Sequence, residues 1–193
     1  MTRLLDGRLV LRQPPPGAGY RVNVDAIHLA RFAAGRIRGT LVDLGAGTGA
    51  VGLAAALAEA NAVANGVTAE VVRSDVAGAA ATLKACADVV VCNPPYFEPG
   101  RARPRAVAPE ARVGSLEHFV GVARTMLGPR GRFFFVYPAP ELVRALSILE
   151  KRGLVAKRVQ MVHGKPTRPA RIVLVESCAG KPGGLVVEPA IVG

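Results

Sequence analysis

The chain is expected to form a doubly wound α/β sheet, mostly parallel, with an antiparallel hairpin at its C-terminal edge. Three observations predict this. Short β-branched and aromatic runs such as Asp88–Cys92 and Gly131–Tyr137 alternate with longer stretches of helical periodicity, the pattern of strand–helix–strand units. A glycine-rich turn, Asp43 to Gly49, stands where one such strand gives way to a helix. The last two apolar runs, Leu154–Val162 and Ala170–Glu176, have no helix between them and should therefore pair antiparallel.

The elements follow in order. Leu9–Leu11 can form a short strand, which Pro14-Pro15-Pro16-Gly17 breaks. Asp25 stands where an N-cap would, ahead of a helix that carries Ile27, Leu29, Ala30 and Phe32 and ends near Gly35. Thr40–Leu44 is a strand running into the glycine-rich turn. A helix from about Ala50 to Ala64 follows, with Asn65-Gly66 as its stop. A strand covers Ala69–Arg73, and a weak Ala-rich helix follows Asp75. Asp88–Cys92 delivers the turn Asn93-Pro94-Pro95-Tyr96, and Phe97–Gly114, rich in Pro and Arg, is a loop of functional length. Ser115 can cap a helix through Leu127, and Gly131–Tyr137 is a strand whose Phe133, Phe134 and Phe135 read as core and sheet packing. Pro138 and Pro140 suit the first turn of a helix that carries Leu142, Leu146 and Leu149 and stops at Gly153. The segment His163-Gly-Lys165-Pro-Thr-Arg168 then joins the two closing strands.

At 193 residues the chain is expected to be one domain: an N-terminal segment 1–38, a core 39–178 and a tail 179–193. Hydrophobic residues make up 50% and charged ones 20%, which excludes a disordered chain. The balance of 25 Lys+Arg against 14 Asp+Glu gives +11, a charge that favours a polyanionic partner, most simply nucleic acid. A soluble protein of Arg-rich composition would carry the same charge. Cys86, Cys92 and Cys178 lack metal-ligand spacing and make no disulfide framework, so no metal is expected and Cys92 reads as a buried thiol. No signal segment opens the sequence, and no apolar run is long enough for a bilayer. A cytoplasmic location is expected.

Asn93-Pro94-Pro95-Tyr96 has a physical reason to face a planar amine. Asn93 offers a side-chain carbonyl as acceptor. The residue before a proline is pushed to extended geometry, and two prolines fix φ and remove backbone donors, leaving free carbonyls on a stiff turn. Tyr96 adds a flat face on which a base can stack. Upstream, Gly45, Gly47 and Gly49 allow tight turning and let backbone N–H groups approach a ligand at the helix N-terminus, and Asp43 can orient the loop or accept from a ligand ammonium. Alone this turn is only moderately specific. Gly47-Thr-Gly49-Ala-Val-Gly52 also satisfies the dinucleotide pattern, which would suggest NAD.

Taken together and in this order, the two motifs resemble the S-adenosylmethionine-dependent amino-methyltransferases. Tyr20-Arg21-Val-Asn-Val-Asp25-Ala-Ile-His-Leu-Ala30 and the ending with His163, Lys165, Arg168 and Arg171-Ile-Val-Leu-Val-Glu176 are similar to bacterial tRNA(Val) adenine-N6 methyltransferases. The resemblance implies a Rossmann-like methyltransferase sheet and S-adenosylmethionine as cofactor. It implies transfer of a methyl group to the N6 amine of adenine in RNA, most simply tRNA. It places Asn93, Pro94, Pro95 and Tyr96 at the catalytic turn, and Tyr20, Asp25, Asp43, Gly45, Gly47, Gly49, Asp75 and Asn93 around the cofactor. Arg101, Arg103, Arg105 and Arg112, with Lys165 and Arg168, are expected to contact RNA phosphates, and Arg171 could extend that basic face. The pattern departs from the family in one place. Only one helical stretch separates Leu44 from Ala69, so the second strand and the acidic residue at its tip are not found. If that strand is genuinely deleted, Asp75 could supply the ribose carboxylate; if it is not, the resemblance puts Asp75 near the cofactor's adenine.

Other functions remain open at this point. A protein glutamine N5-methyltransferase faces the same amine chemistry, but usually has a helical recognition domain ahead of the core, for which the segment before Thr40 leaves no room. A ribosomal RNA methyltransferase and a catalytically silent RNA-binding homologue also fit these motifs.

Overall fold

A computed structural model describes residues 2–4, 9–11, 24–46, 76–96, 115–180 and 183–193. Strands β1 (Thr2–Leu4) and β2 (Leu9–Leu11) form a small antiparallel pair of their own. The main sheet holds β3 (Leu41–Leu44), β4 (Ala87–Cys92), β5 (Leu127–Pro138), β6 (Leu154–His163), β7 (Ala170–Ala179) and β8 (Val186–Val192). Their order is β3-β4-β5-β7-β6-β8. β3, β4 and β5 are parallel, and β7 runs antiparallel to both β5 and β6. The expected closing hairpin is therefore present. It is not outermost, because β8 adds to β6 in parallel and turns part of the expected tail into an edge strand. Pro189 and a register shift between Gln160 and Val162 interrupt that edge, as edge strands tolerate.

Helices cover both faces of the sheet. α1 (Val24–Ala34) lies on one face, where Leu29, Phe32 and Ala33 meet Val89, Val91, Phe134, Val136 and Leu174. α2 (Val76–Thr82), α3 (Leu116–Met126) and α4 (Leu142–Lys151) lie on the other, over Val90, Cys92, Phe133, Phe135, Tyr137 and Val175. The pleat explains how Phe133, Phe134 and Phe135 serve both cores: neighbours on a strand point to opposite faces. Phe133 and Phe135 stack at 5.1 Å on one side, and Phe134 meets Phe32 edge-on at 6.1 Å on the other.

Two expected boundaries change. Asp25 is the second residue of α1 and not its cap, since the helix already begins at Val24. β5 starts at Leu127, four residues early, because Leu127 already pairs with Ala87 before a register shift brings Arg132 opposite Val89. Ser115 does hold the N-cap position of α3, with extended backbone but no side-chain capping bond. Pro138 and Pro140 enter α4 through a 3-10 turn, Ala139–Glu141. The expected helix 50–64 and strand 69–73 lie outside the described residues.

One charged cluster is built into the sheet. Glu176, 1% exposed, accepts from Arg132 and from Nε of Arg158 at 2.8 Å. Arg158 also donates to the Phe32 carbonyl oxygen at 2.7 Å and lies 3.9 Å above the Phe32 ring, so it ties α1 to the strands.

Candidate active site

The parallel register sets the site. Asp43 pairs with Val91 and Leu44 with Cys92, so Gly45 and Asn93 leave the sheet side by side at the carboxyl ends of β3 and β4. Open α/β sheets bind ligands at that edge. Gly45 has φ +75°, a left-handed conformation in which a side chain would be strained, and it is exposed. Its backbone therefore stands open above the strand tips. Asp43 is half-buried at the tip of β3 and Asn93 half-buried at the tip of β4, while Pro94 is buried and Pro95 half-buried. Cys92, fully buried between them, has its thiol pushed well above the ordinary range by burial and, secondarily, by the Asp43 carboxylate. It stays a neutral packing group, as expected.

Tyr96 does more than the sequence implied. Its hydroxyl donates to Oδ2 of Asp25 at 2.9 Å, and its ring meets Tyr137 edge-on at 6.0 Å. Asp25 is 2% exposed, and its Oδ1 accepts from Nη2 of Arg171 at 2.7 Å. Arg171, read as an extension of the basic face, is engaged in an ion pair with Asp25 while its side chain stays 45% exposed. No signal in the sequence joins these residues, which lie on three separate elements. His28, one turn further along α1, is also buried, and its Nε2 has no hydrogen-bond partner among the described residues. Burial holds its pKa below the ordinary 6.5; Asp25 pulls it upward, while Arg31 and Arg171 add to the lowering.

The loop between β6 and β7 rises at the same end of the sheet, because β6 runs in the direction of β4 and β5. Lys165 and Arg168 are both exposed there. The loop is held from within: the Arg168 N–H donates to the Lys165 carbonyl at 3.1 Å, and Nδ1 of His163 lies 2.7 Å from the Arg168 carbonyl oxygen. His163 is thus a loop anchor, and His118 is exposed on α3. Tyr20, Gly47, Gly49, Asp75, Arg101, Arg103, Arg105 and Arg112 lie outside the described residues. Among the described residues no cluster of His, Cys, Asp and Glu could hold a metal, and no helix is long and apolar enough to cross a membrane.

A twisted sheet covered by helices on both faces, with a carboxylate and an open glycine turn beside an Asn-Pro-Pro-Tyr turn, defines an α/β enzyme of the nucleotide-cofactor class. Residues 53–152, just over half of the sequence, match the model of the methyltransferase small domain, and the chain belongs to that family. It is an S-adenosylmethionine-dependent methyltransferase. A relative from Pedobacter heparinus, tRNA1(Val) (adenine(37)-N6)-methyltransferase, is 24% identical over 189 residues, covering 86% of this chain and 81% of that protein. The protein of the same name from Vibrio vulnificus is 30% identical over 92 residues, 46% of this chain and 38% of the relative. Among solved structures, a predicted O-methyltransferase from Agrobacterium tumefaciens superposes with a TM-score of 0.60 at 20% identity, over 87% of this chain and 86% of the other. That likeness shows the fold.

The described residues fit the cofactor. A Cβ at Gly45 would meet the Phe119 ring at 3.4 Å, so the exposed side of the turn presents backbone alone, and Asp43 stands two residues before it at the strand tip.

Proposed function

We propose that this protein transfers a methyl group from S-adenosylmethionine to the exocyclic N6 amine of adenine in RNA, with tRNA as the substrate. The observation that carries the reading is the register of β3 and β4, which sets Asn93 next to the glycine turn at Gly45. The names of the Pedobacter and Vibrio relatives support adenine N6 and tRNA. The charge of +11 supports a nucleic acid.

The amine of adenine is a weak nucleophile because its lone pair is delocalised into the ring. Bound S-adenosylmethionine supplies an electrophilic methyl group on a sulfonium. Asn93, through its side-chain oxygen, and Pro94, through its carbonyl, accept the two amine N–H bonds and stabilise the positive charge that builds on nitrogen. Tyr96 stacks on the base once it has been turned out of its neighbours. With amine and methyl held in line, the N–C bond would form as the sulfonium's S–C bond breaks, leaving S-adenosylhomocysteine, and the surplus amine proton would pass to solvent. Asp43, Gly45, Gly47 and Gly49 hold the cofactor, with Tyr20 and Asp75 expected beside it. Lys165 and Arg168, with Arg101, Arg103, Arg105 and Arg112, contact the RNA backbone. A cytoplasmic location follows from a tRNA substrate.

Incubation with S-adenosylmethionine and bulk tRNA, followed by mass spectrometry of the nucleosides, tests the reading. N6-methyladenosine is the expected product. A methylated guanosine, methylated glutamine in protein substrates, or no product at all would each refute it.

A further inference from the structure

Tyr96 stands where the two helical layers meet. Its ring packs with the core beneath α3 and α4, edge-on to Tyr137, whereas its hydroxyl reaches Asp25 of α1 on the opposite face. The side chain therefore spans the tip of β4 from one layer to the other. A half-buried phenol could be satisfied by water; here it donates to a carboxylate that is itself 2% exposed. Taking a carboxylate out of water is unfavourable unless it is paired, and Arg171, from the start of β7, supplies the counter-charge at 2.7 Å. Segments separated by 71 and 146 residues thus converge on one ring of the Asn-Pro-Pro-Tyr turn. A charge-assisted bond at the tip and edge-on packing at the side hold that ring in one plane.

We propose that Asp25, backed by Arg171, is a positioning residue for the catalytic turn: it sets the plane of the Tyr96 ring against which the target base stacks, and it does not bind the cofactor. This rests on the reading that the turn ending in Tyr96 receives the planar amine. Displacing a stacked base by about 1 Å can cost on the order of a hundredfold in rate, so loss of the anchor falls on turnover more than on cofactor affinity.

A double-mutant cycle on the full chain separates this role from a purely structural one. Asp25→Ala and Tyr96→Phe are each expected to lower kcat by about tenfold or more, and the double variant no further than either. The Kd for S-adenosylmethionine, measured by calorimetry, should stay within about twofold of wild type. Asp25→Asn, whose amide oxygen still accepts from the phenol, should recover most of the turnover. Losses that multiply, or a cofactor Kd raised by Asp25→Ala, would overturn the proposal. Should Asp25→Ala fail to fold, Tyr96→Phe exposes no buried charge, and an unchanged kcat in that variant would overturn the proposal as well. NMR of ring-labelled tyrosine needs no substrate. Asp25→Ala should mobilise the Tyr96 ring and Asp25→Asn should not; an unaltered Tyr96 signal in Asp25→Ala would refute the anchor. A wild type that methylates no tRNA would sink the proposed reaction instead, leaving the NMR result to decide the anchor.

Discussion

Two buried carboxylates in this protein are built from the same parts and stand for different things. Glu176 lies in mid-strand under α1, clasped by Arg132 and Arg158; Asp25 lies at the sheet tip, clasped by Arg171 and bonded to Tyr96. Both are almost wholly removed from water. What separates them is what lies next. Arg158 passes on to the backbone and ring of Phe32 and so to the core, whereas Asp25 passes on to the turn that carries Asn93. Burial and pairing alone do not mark a functional carboxylate; its position relative to the strand tips does.

The contrast has its strongest consequence in stability. Glu176→Ala removes the anion that Arg132 and Arg158 share: Arg132, 37% exposed, can turn to water, but Arg158, 16% exposed, is left with Glu188 alone, at 3.5 Å. A loss of about 3 kcal/mol, the low end for a broken buried pair, is expected in chemical denaturation. Asp25→Ala should cost less, about 1–3 kcal/mol, because Arg171 is 45% exposed and can return to water. Equal losses for the two would erase the difference between them.

A weaker effect refines the picture around Asp25. His28 sits one turn away and is held neutral by burial, with a folded pKa below 6.5. Protons therefore bind the unfolded chain more readily. Stability from this residue is fully present above about pH 6.5 and is lost as the pH falls towards the folded value, by at most about 1.4 kcal/mol per pH unit. Thermal melts between pH 7.5 and 5.5 should show that decline, and His28→Gln should flatten it. A variant with the wild-type slope would assign the decline to other groups. Smaller still is the effect of Lys165→Ala with Arg168→Ala. The logarithmic salt dependence of tRNA binding should shallow by about 0.7–0.9 per lost phosphate contact, and an unchanged slope would remove this loop from the interface.

Much of this was legible in the sequence, and the exceptions share a cause. The strands ending at Leu44, Cys92 and Tyr137 announce themselves as apolar runs between glycines and prolines, and Gly153 marks the end of α4 as expected. The two strand-tip motifs were readable because each carries its chemistry within a few consecutive residues. β8 was not, since a strand holding Pro189 and several exposed residues lacks the alternation of a half-buried one. Asp25 suited a helix cap by local rules, and only contacts with Tyr96 and Arg171 define its place. Arg171 likewise read only as part of a basic face, because its partner stands 146 residues away. Local sequence rules carry no information on pairs of that separation.

Methyl transfer at the tip of β4 is tested most directly by Asn93→Ala, assayed with bulk tRNA alongside calorimetry for S-adenosylmethionine. N6-methyladenosine formation should fall by at least about a hundredfold while the cofactor still binds. Methylation at the wild-type rate would contradict the role of Asn93 as acceptor of the amine.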